Sequence, residues 1–265
     1  MKVGELEINT KLENKISICI VDQDYPKNVV EYRGDVQIEI GSTFKAILLG
    51  KAIKLIELGF ISENDKVLLK ESYLCDDSVV FGNSIGLYVE IKELLSAMIG
   101  RSDNTATEAI IDIVNKTDNG SIKNAFFKYN NIIPESLRKI YENKEKSIKV
   151  SRSTAIDIVD YFITINNYFV FGNAKRMFWD YMEKEEKCNP SGITNDIRFY
   201  RKSGFADFDE KGHHSNIAGM IKKGSRQIVF CANSGNIGKG ENEIDIEFEE
   251  FLKNVVSYCI KSINS

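Results

Sequence analysis

Strand-type segments lie near both ends of this chain, with a long stretch of helical pattern between them. Alternating and β-branched runs near the start predict two strands, Lys15 to Asp22 and Val29 to Arg33. Three more strands are predicted late in the chain: Ile197 to Ser203, Ser215 to Lys222 and Arg226 to Ala232. Because segments from both ends can meet in one layer around a helical insertion, the sequence predicts an α+β fold with an antiparallel sheet of about five strands, flanked by helices.

Apolar residues recur at helical spacing between these strands, and an amphipathic helix closes the chain. We predict one domain over residues 1–265 with two lobes. The first lobe comprises residues 1–60 and 196–265, with the sheet and the terminal helices, and the second comprises residues 61–195 as a helical insertion. The predicted helices are Ser42 to Leu58, Val89 to Gly100, Asn104 to Val114, Ser121 to Tyr129, Ser153 to Asn166 (capped by Ser151 or Ser153), Ala174 to Lys184 and Asp245 to Ser262.

Charge and hydropathy argue against two classes of partner. The net charge is -4, and lysines alternate with acids along the chain, which leaves no basic stripe for nucleic acid. No segment reaches the roughly 18 uninterrupted apolar residues of a membrane span. The first residues have no apolar signal core, so we expect a cytoplasmic protein or a mature secreted form. We expect a monomer that acts on a small molecule.

The cysteines and histidines do not form a recognisable site pattern. Five cysteines are widely spaced without a C-x-x-C, so neither a disulfide framework nor a metal site is expected, and Cys19, Cys231 and Cys259 are predicted to be buried thiols. His213 and His214 are the only histidines. A Ser-His-Asp triad would have to use one of them, but a position at the edge of a turn is the favoured interpretation.

The stretch Ser42-Thr43-Phe44-Lys45 pairs a serine with a lysine at the start of a predicted helix. A spacing of three puts the Ser42 hydroxyl and the Lys45 amine on one helix face, one turn apart. Serine is a weak nucleophile that needs a nearby base, and desolvation in an apolar helix lowers the pKa of a lysine toward that role. A helix cap followed by a lysine that reaches solvent explains the motif equally well when it is taken alone.

Two further motifs follow in order along the chain. Ser102-Asp103-Asn104 begins a predicted helix, where a second hydroxyl could pass a proton to a leaving amine. Lys202-Ser203-Gly204 lies on a late strand, where a lysine and a hydroxyl suit a substrate carboxylate and the glycine allows close approach of a substrate. Taken singly, the two motifs are also a plain helix cap and ordinary strand-end residues.

The three motifs in this order are the set typical of class A β-lactamases and penicillin-binding proteins. The chain resembles a class A β-lactamase over nearly its whole length. The resemblance implies a serine hydrolase that opens the β-lactam amide through an acyl-enzyme, without a metal or another cofactor. The resemblance implies that Ser42 is acylated, that Lys45 activates it and that Ser102 relays protons. It implies that Asn104 binds the side-chain amide of the substrate and that Lys202 and Ser203 bind its carboxylate. The implied oxyanion hole consists of the backbone N–H groups of Ser42 and of Phe205, which follows Gly204.

The glutamate that releases the acyl group in such lactamases has no clear counterpart here. The family carries it in a loop with the pattern E-x-x-L-N, which residues 131–150 lack. Glu135 is the nearest candidate and Glu142 is the alternative, although a solvated charge in a lysine-rich loop is the favoured interpretation of both. Phe205 also occupies a position that is usually small in the family, which would crowd a bulky substrate.

Two other functions remain open on this reasoning. One is a different acyl-serine enzyme of the same fold: a peptidase, amidase, esterase or acyltransferase. The other is a penicillin-binding sensor that stays acylated. The presence of Ser42, Lys45 and Ser102 together argues against a homologue without chemistry.

Overall fold

A computed structural model describes residues 2–3, 6–7, 15–25, 28–117, 120, 122, 126–138, 151–186, 193–208, 212–234 and 242–264 of the chain. The chain groups into two compact units. We call them the sheet unit (Met1–Thr43, Arg152–Thr164 and Cys188–Ser265) and the helical unit (Phe44–Ser151 and Ile165–Lys187).

The sheet unit is built on one antiparallel sheet of five strands, as the sequence predicts. The strands of the described chain are β1 Lys2–Val3, β2 Leu6–Glu7, β3 Ile16–Asp22, β4 Val29–Tyr32, β5 Ile38–Glu39, β6 Lys66–Leu68, β7 Tyr88–Glu90, β8 Arg152–Ser153, β9 Ile197–Phe208, β10 Gly212–Lys223 and β11 Arg226–Ser234. The order of the sheet is β4-β3-β11-β10-β9, so the two N-terminal strands join the three C-terminal strands through the pairing of β3 with β11.

Both faces of the central strands are covered, which explains their nearly continuous apolar sequences. Every described residue of β11 from Ile228 onward is buried. The described helices are α1 Phe44–Glu57, α2 Ile91–Gly100, α3 Asn104–Thr117, α4 Ala155–Thr164, α5 Gly172–Met182 and α6 Asn242–Asn264. Both α4 and α6 pack against β11, and α6 contributes Phe251, Val255 and Cys259 to a core that includes Ile18 and Phe230 of the sheet.

The helical unit packs α1 against α2, α3 and α5. Leu48, Leu49, Ala52 and Ile53 of α1 are at most 1% exposed, so the helix is surrounded by apolar side chains on nearly all sides. Among the described helices, none is long and apolar enough to cross a membrane. A polar side chain in the buried part of this helix therefore needs a partner within the protein.

The predicted helices and strands are confirmed with shifted ends and a few corrections. Val89, predicted as helical, pairs in the hairpin of β6 with β7, which the short, partly polar strands concealed. Helix α4 is capped by Thr154 rather than by Ser151 or Ser153, because the Thr154 hydroxyl accepts the backbone N–H of Asp157. Most of the predicted helix at 121–129 and most of the predicted turn at 209–212 lie outside the described residues.

The compact units differ from the predicted lobes at two segments. Helix α1 belongs to the helical unit, because its buried face packs on α2, α3 and α5. Helix α4 belongs to the sheet unit, because it packs on β3, β10 and β11. His213 and His214 lie within the paired region of β10, and His214 is buried rather than placed at the edge of a turn.

Candidate active site

Ser42 lies in a short 3-10 turn, Gly41–Thr43, that follows β5 and leads into α1. The turn begins at Gly41 with φ +45°, a backbone conformation that side chains disfavour. A Cβ at Gly41 would lie 3.0 Å from the backbone oxygen of Phe205 on β9. Ser42 itself is half-buried. The local sequence therefore folds into a tight turn that presents a serine beside β9.

Gly204 on β9 fits closely against this turn. A Cβ placed on Gly204 would lie 2.6 Å from the oxygen of Ile40 and 2.8 Å from the backbone nitrogens of Ser42 and Thr43. These contacts are with backbone, which cannot swing aside as a side chain can. Residue 204 must therefore be glycine for the Ser42 N–H to keep its distance from β9.

The variant Gly204→Ala is expected to lower the rate of Ser42 acylation by about 100-fold, because even a displacement of about 1 Å at a reacting centre has an effect of that size. Gly172→Ala is the matched control, since a Cβ at Gly172 meets no atom within 4 Å. The rate of adduct formation, measured by intact mass, checks the prediction. Equal rates for Gly204→Ala and Gly172→Ala would contradict it.

The other predicted residues of β9 lie beside Gly204. Lys202 is fully buried, and its Nζ donates a hydrogen bond of 2.8 Å to the backbone oxygen of Ser203. Ser203 is half-buried, whereas Phe205 is 60% exposed. Ser203 and Phe205 share one face of the strand, since alternate residues point the same way. Phe205 therefore occupies the same face of β9 as the hydroxyl that the sequence predicts to bind a carboxylate.

Lys45 is the polar side chain that α1 buries most deeply. It is 0% exposed, and its Nζ donates hydrogen bonds to the Ser102 backbone oxygen at 2.7 Å, to Ser102 Oγ at 3.0 Å and to Asn104 Oδ1 at 2.7 Å. The structure thus brings the lysine of the first motif together with the serine and the asparagine of the second. The alternative of a lysine that reaches solvent is wrong for this residue.

The Ser102-Asp103-Asn104 motif is held in an uncommon backbone shape. Ser102 has φ +58°, which places both its carbonyl and its hydroxyl toward Lys45. Asp103 is fully buried and caps α3, because its Oδ1 accepts the backbone N–H of Ala106 at 2.8 Å. Asn104 donates from Nδ2 to the oxygen of Asp76 at 2.9 Å, which fixes which way its amide points. Position and orientation of this motif are therefore set by the fold before any ligand arrives.

Glu108 is a buried carboxylate that the sequence reasoning missed. It lies one helical turn after Asn104 and is 8% exposed. It accepts the backbone N–H of Leu137 at 2.7 Å, the hydroxyl of Ser136 and, more weakly, the N–H of Arg138 at 3.4 Å. The spacing of four from Asn104 is the signal that could have identified it. Glu108 therefore binds residues 136–138 to α3 through hydrogen bonds.

The structure describes only one of the two candidate glutamates of the loop. Glu135 is exposed, and it directly precedes the residues that Glu108 holds. Glu142 lies outside the described residues. A solvated carboxylate can act as a base, but water rather than protein determines its position. Glu135 therefore stays a prediction as the deacylating residue.

The described cysteines are not suited to nucleophilic chemistry. Burial raises the pKa of Cys75 to about 12, with a further contribution from the nearby Glu108 carboxylate. Burial also raises the pKa of Cys19 to about 12 and raises those of Cys231 and Cys259 further. These thiols stay protonated at neutral pH, and a protonated thiol is a poor nucleophile. The prediction of buried thiols at positions 19, 231 and 259 is confirmed.

Comparison with known proteins decides the family. The model of the β-lactamase enzyme family matches residues 4–245. The chain belongs to the β-lactamase enzyme family. Curated members match it over a shorter stretch: the β-lactamase PSE-4 of Pseudomonas aeruginosa is 27% identical over 107 residues, which is 40% of this chain and 37% of that protein. The chain thus aligns with little more than a third of the length of these relatives.

Solved structures in the same family share the fold over nearly the whole chain. An ancestral class A β-lactamase matches with a TM-score of 0.76 and 18% identity, over 94% of this chain and 97% of that one. The chromosome-encoded β-lactamase of Vibrio parahaemolyticus matches with a TM-score of 0.74 and 16% identity, over 92% and 93%. At these identities the likeness establishes the class A β-lactamase fold, as the three sequence motifs predicted.

The predicted site residues therefore fall into two groups. In the helical unit, Lys45, Ser102 and Asn104 are joined directly by hydrogen bonds. In the sheet unit, Ser42 and Gly204 meet at backbone distance, with Lys202, Ser203 and Phe205 on the same strand as Gly204. Among the described residues, no cluster of His, Cys, Asp and Glu side chains could hold a metal ion.

Proposed function

We propose that this protein is a serine hydrolase that opens the amide of a β-lactam through an acyl-enzyme on Ser42. The observation that carries the proposal is the position of Lys45, a fully buried amine held by Ser102 and Asn104, three residues after the serine. A buried amine fixed to a second hydroxyl suits proton transfer and adds little that an apolar residue would not supply to packing. Membership of the β-lactamase enzyme family supports the same reaction.

Acylation in this proposal uses one nucleophile and two proton carriers. The Ser42 Oγ attacks the lactam carbonyl carbon while Lys45 Nζ, as the general base, accepts the hydroxyl proton. The ring C–N bond then breaks, and the leaving nitrogen receives a proton through Ser102, which lies 3.0 Å from Lys45 Nζ. The products are an ester on Ser42 and an opened ring that carries a secondary amine.

Backbone groups and β9 supply the binding side of the proposal. The N–H groups of Ser42 and Phe205 form the proposed oxyanion hole, and the absence of a side chain at Gly204 keeps the Ser42 N–H close to β9. Lys202 and Ser203 are proposed to hold the substrate carboxylate, and Asn104 its side-chain amide. The exposed side chain of Phe205 lies on the same strand face as Ser203 and is expected to crowd bulky substrates there.

Deacylation is the step that the described residues support least. Hydrolysis of the ester needs a base that activates water, and Glu135 is the proposed carboxylate. Because Glu135 is exposed, its position is less restrained than that of Lys45 or Glu108. We therefore expect the acyl-enzyme to decay slowly and to be observable in the wild-type protein. This observation also favours the second candidate function, a penicillin-binding sensor that stays acylated.

A time course of intact mass with benzylpenicillin tests the proposal. We expect an adduct that equals the mass of the penicillin, followed by slow return to the free protein with release of the opened acid. The variant Glu135→Gln is expected to form the adduct at the wild-type rate and to release it about 100-fold more slowly, because it lacks the base. A chromogenic cephalosporin measures turnover in parallel.

The outcomes separate the candidate functions. A permanent wild-type adduct would favour the sensor over the hydrolase. No adduct would contradict both and leave an esterase, amidase or peptidase of the same fold. Turnover that is unchanged in Glu135→Gln would remove Glu135 from the mechanism, whereas Glu63→Gln, on a different loop of the helical unit, should leave both steps unchanged.

A further inference from the structure

His214 and Glu39 form a buried pair in the sheet unit that the proposed reaction does not use. Nε2 of His214 lies 3.0 Å from Oε2 of Glu39, and their side chains are only 5% and 7% exposed. Glu39 is the last residue of β5, and His214 lies in β10 opposite Ala206 of β9. An acid and an imidazole at this depth are unusual, since buried ionisable groups normally need a partner.

A second contact joins the same two segments at the backbone. Asn216, two residues after His214 on β10, donates from Nδ2 to the backbone oxygen of Glu39 at 3.1 Å. Because alternate residues of a strand share a face, the side chains of His214 and Asn216 lie on the same face of β10. His214 thus contacts the side chain of Glu39, and Asn216 contacts its main chain.

These contacts lie directly behind the turn that carries Ser42. Glu39 precedes Ser42 by three residues, and Asn216 is the register partner of Gly204, whose missing Cβ leaves room for the Ser42 and Thr43 nitrogens. The strand that pairs with Gly204 therefore also holds the residue that leads into the turn. Any shift of Glu39 relative to β10 changes the distance between the Ser42 N–H and β9.

We propose that Glu39 and His214, together with Asn216, are positioning residues that fix the Ser42 turn against β9 and so set the rate of acylation. The inference rests on the proposed role of Ser42. Stability alone does not explain the pair, because even a buried ion pair can often be replaced by apolar residues of similar size without loss of stability. A close polar contact between two buried side chains does restrict their direction and separation, which apolar contacts do not.

The test compares Glu39→Gln, His214→Ala, His214→Gln and the double variant Glu39→Gln/His214→Gln. Each is treated with benzylpenicillin and, separately, with a fluorophosphonate that labels nucleophilic serines, over a range of reagent concentrations. We expect the limiting labelling rate to fall about 10- to 100-fold in His214→Ala while the half-saturating concentration changes little. The double variant should recover much of the rate, because two amide side chains can join the same two segments through an uncharged hydrogen bond.

Two further variants keep the test informative if one of the first four is unstable. Asn216→Ala removes the contact with the Glu39 backbone oxygen, leaves the Glu39 and His214 side chains in place and should also lower the limiting rate. Ser17→Ala is the matched control, since Ser17 is a 1% exposed polar residue of the same unit whose hydroxyl bonds to the oxygen of Arg33, on the other side of β11 from β10. It should lose stability to heat without a change in labelling rate.

Hydrogen exchange of the peptide that spans residues 40–44 measures the protection of the backbone N–H groups in the Ser42 turn and does not depend on a reaction at Ser42. We expect faster exchange there in His214→Ala and not in Ser17→Ala. Labelling rates that stay at the wild-type value in His214→Ala and Asn216→Ala would overturn the inference. If fluorophosphonate labels Ser42 but penicillin does not, the proposed function fails. The inference is then tested by the fluorophosphonate labelling rates of the variants compared with the wild-type rate. If neither labels Ser42, unchanged exchange at 40–44 in His214→Ala overturns it and faster exchange supports it.

Discussion

Ser42→Ala is expected to abolish the covalent adduct with benzylpenicillin and to lower hydrolysis of a chromogenic cephalosporin by at least about 10⁴-fold. The reason is that the variant has no atom to attack the lactam carbonyl, whereas the turn, the oxyanion N–H groups and Lys45 all remain. Loss of a serine nucleophile in a comparable hydrolase has an effect on kcat of about 10⁶-fold. Intact mass measures the adduct, and absorbance measures the hydrolysis.

Two comparisons make this result specific to Ser42. Thr43→Ala removes the neighbouring hydroxyl, which is buried at 1% exposure, and should keep the adduct. Noncovalent binding of penicillin to Ser42→Ala should persist, because Lys202, Ser203 and Asn104 are unchanged. An adduct that forms on Ser42→Ala at the wild-type rate would place the nucleophile elsewhere and contradict the proposed function.

Lys45→Met is expected to slow acylation by about 10³-fold, within the range for loss of a general base. Methionine keeps the length and the apolar stem of the lysine but removes the amine that contacts Ser102 and Asn104. Those buried acceptors then lose a donor, so the free energy of unfolding should also fall by about 1–3 kcal/mol. Stopped-flow acylation and urea denaturation measure the two effects separately.

Helix α1 contains a matched control for the loss of a buried amine. Lys51 is 6% exposed, and its Nζ donates to Asn130 Oδ1 at 2.6 Å. Lys51→Met should therefore lower the free energy of unfolding by a similar amount while the rate of acylation stays near the wild-type value. Equal slowing of acylation in the two variants would mean that the helix, and not the amine of Lys45, is responsible.

Much of the fold follows from local sequence patterns. The strands of the sheet unit are predicted because their apolar runs are β-branched and bounded by turns, and a single antiparallel sheet follows once strands from both ends of the chain share one layer. The strand order β4-β3-β11-β10-β9 depends on tertiary pairing that the sequence does not indicate. The positions at which helices begin are predicted less accurately than the strands. Val89 belongs to a hairpin strand and Thr154 is the cap of α4, because pairing across a hairpin and the choice among neighbouring hydroxyls are decided by tertiary contacts.

The candidate site residues were predictable where they belong to short motifs. Lys45, Ser102 and Asn104 were identified from two motifs and from the family that the motif set resembles, and they are in contact in the structure. Glu108 was missed although it lies four residues after Asn104, because its partners at 136–138 are about thirty residues away in sequence. His214 was interpreted as a turn residue, because nothing near it in sequence indicates that Glu39 reaches it across the fold.

The left-handed backbone of Ser102 has a consequence for how this site can change by mutation. A serine at φ +58° has a conformational cost of about 1–2 kcal/mol that glycine would not have. Replacing it with glycine would remove this backbone cost and, in the same step, the hydroxyl that Lys45 contacts. The backbone conformation and the proposed proton relay therefore favour different residues at this position.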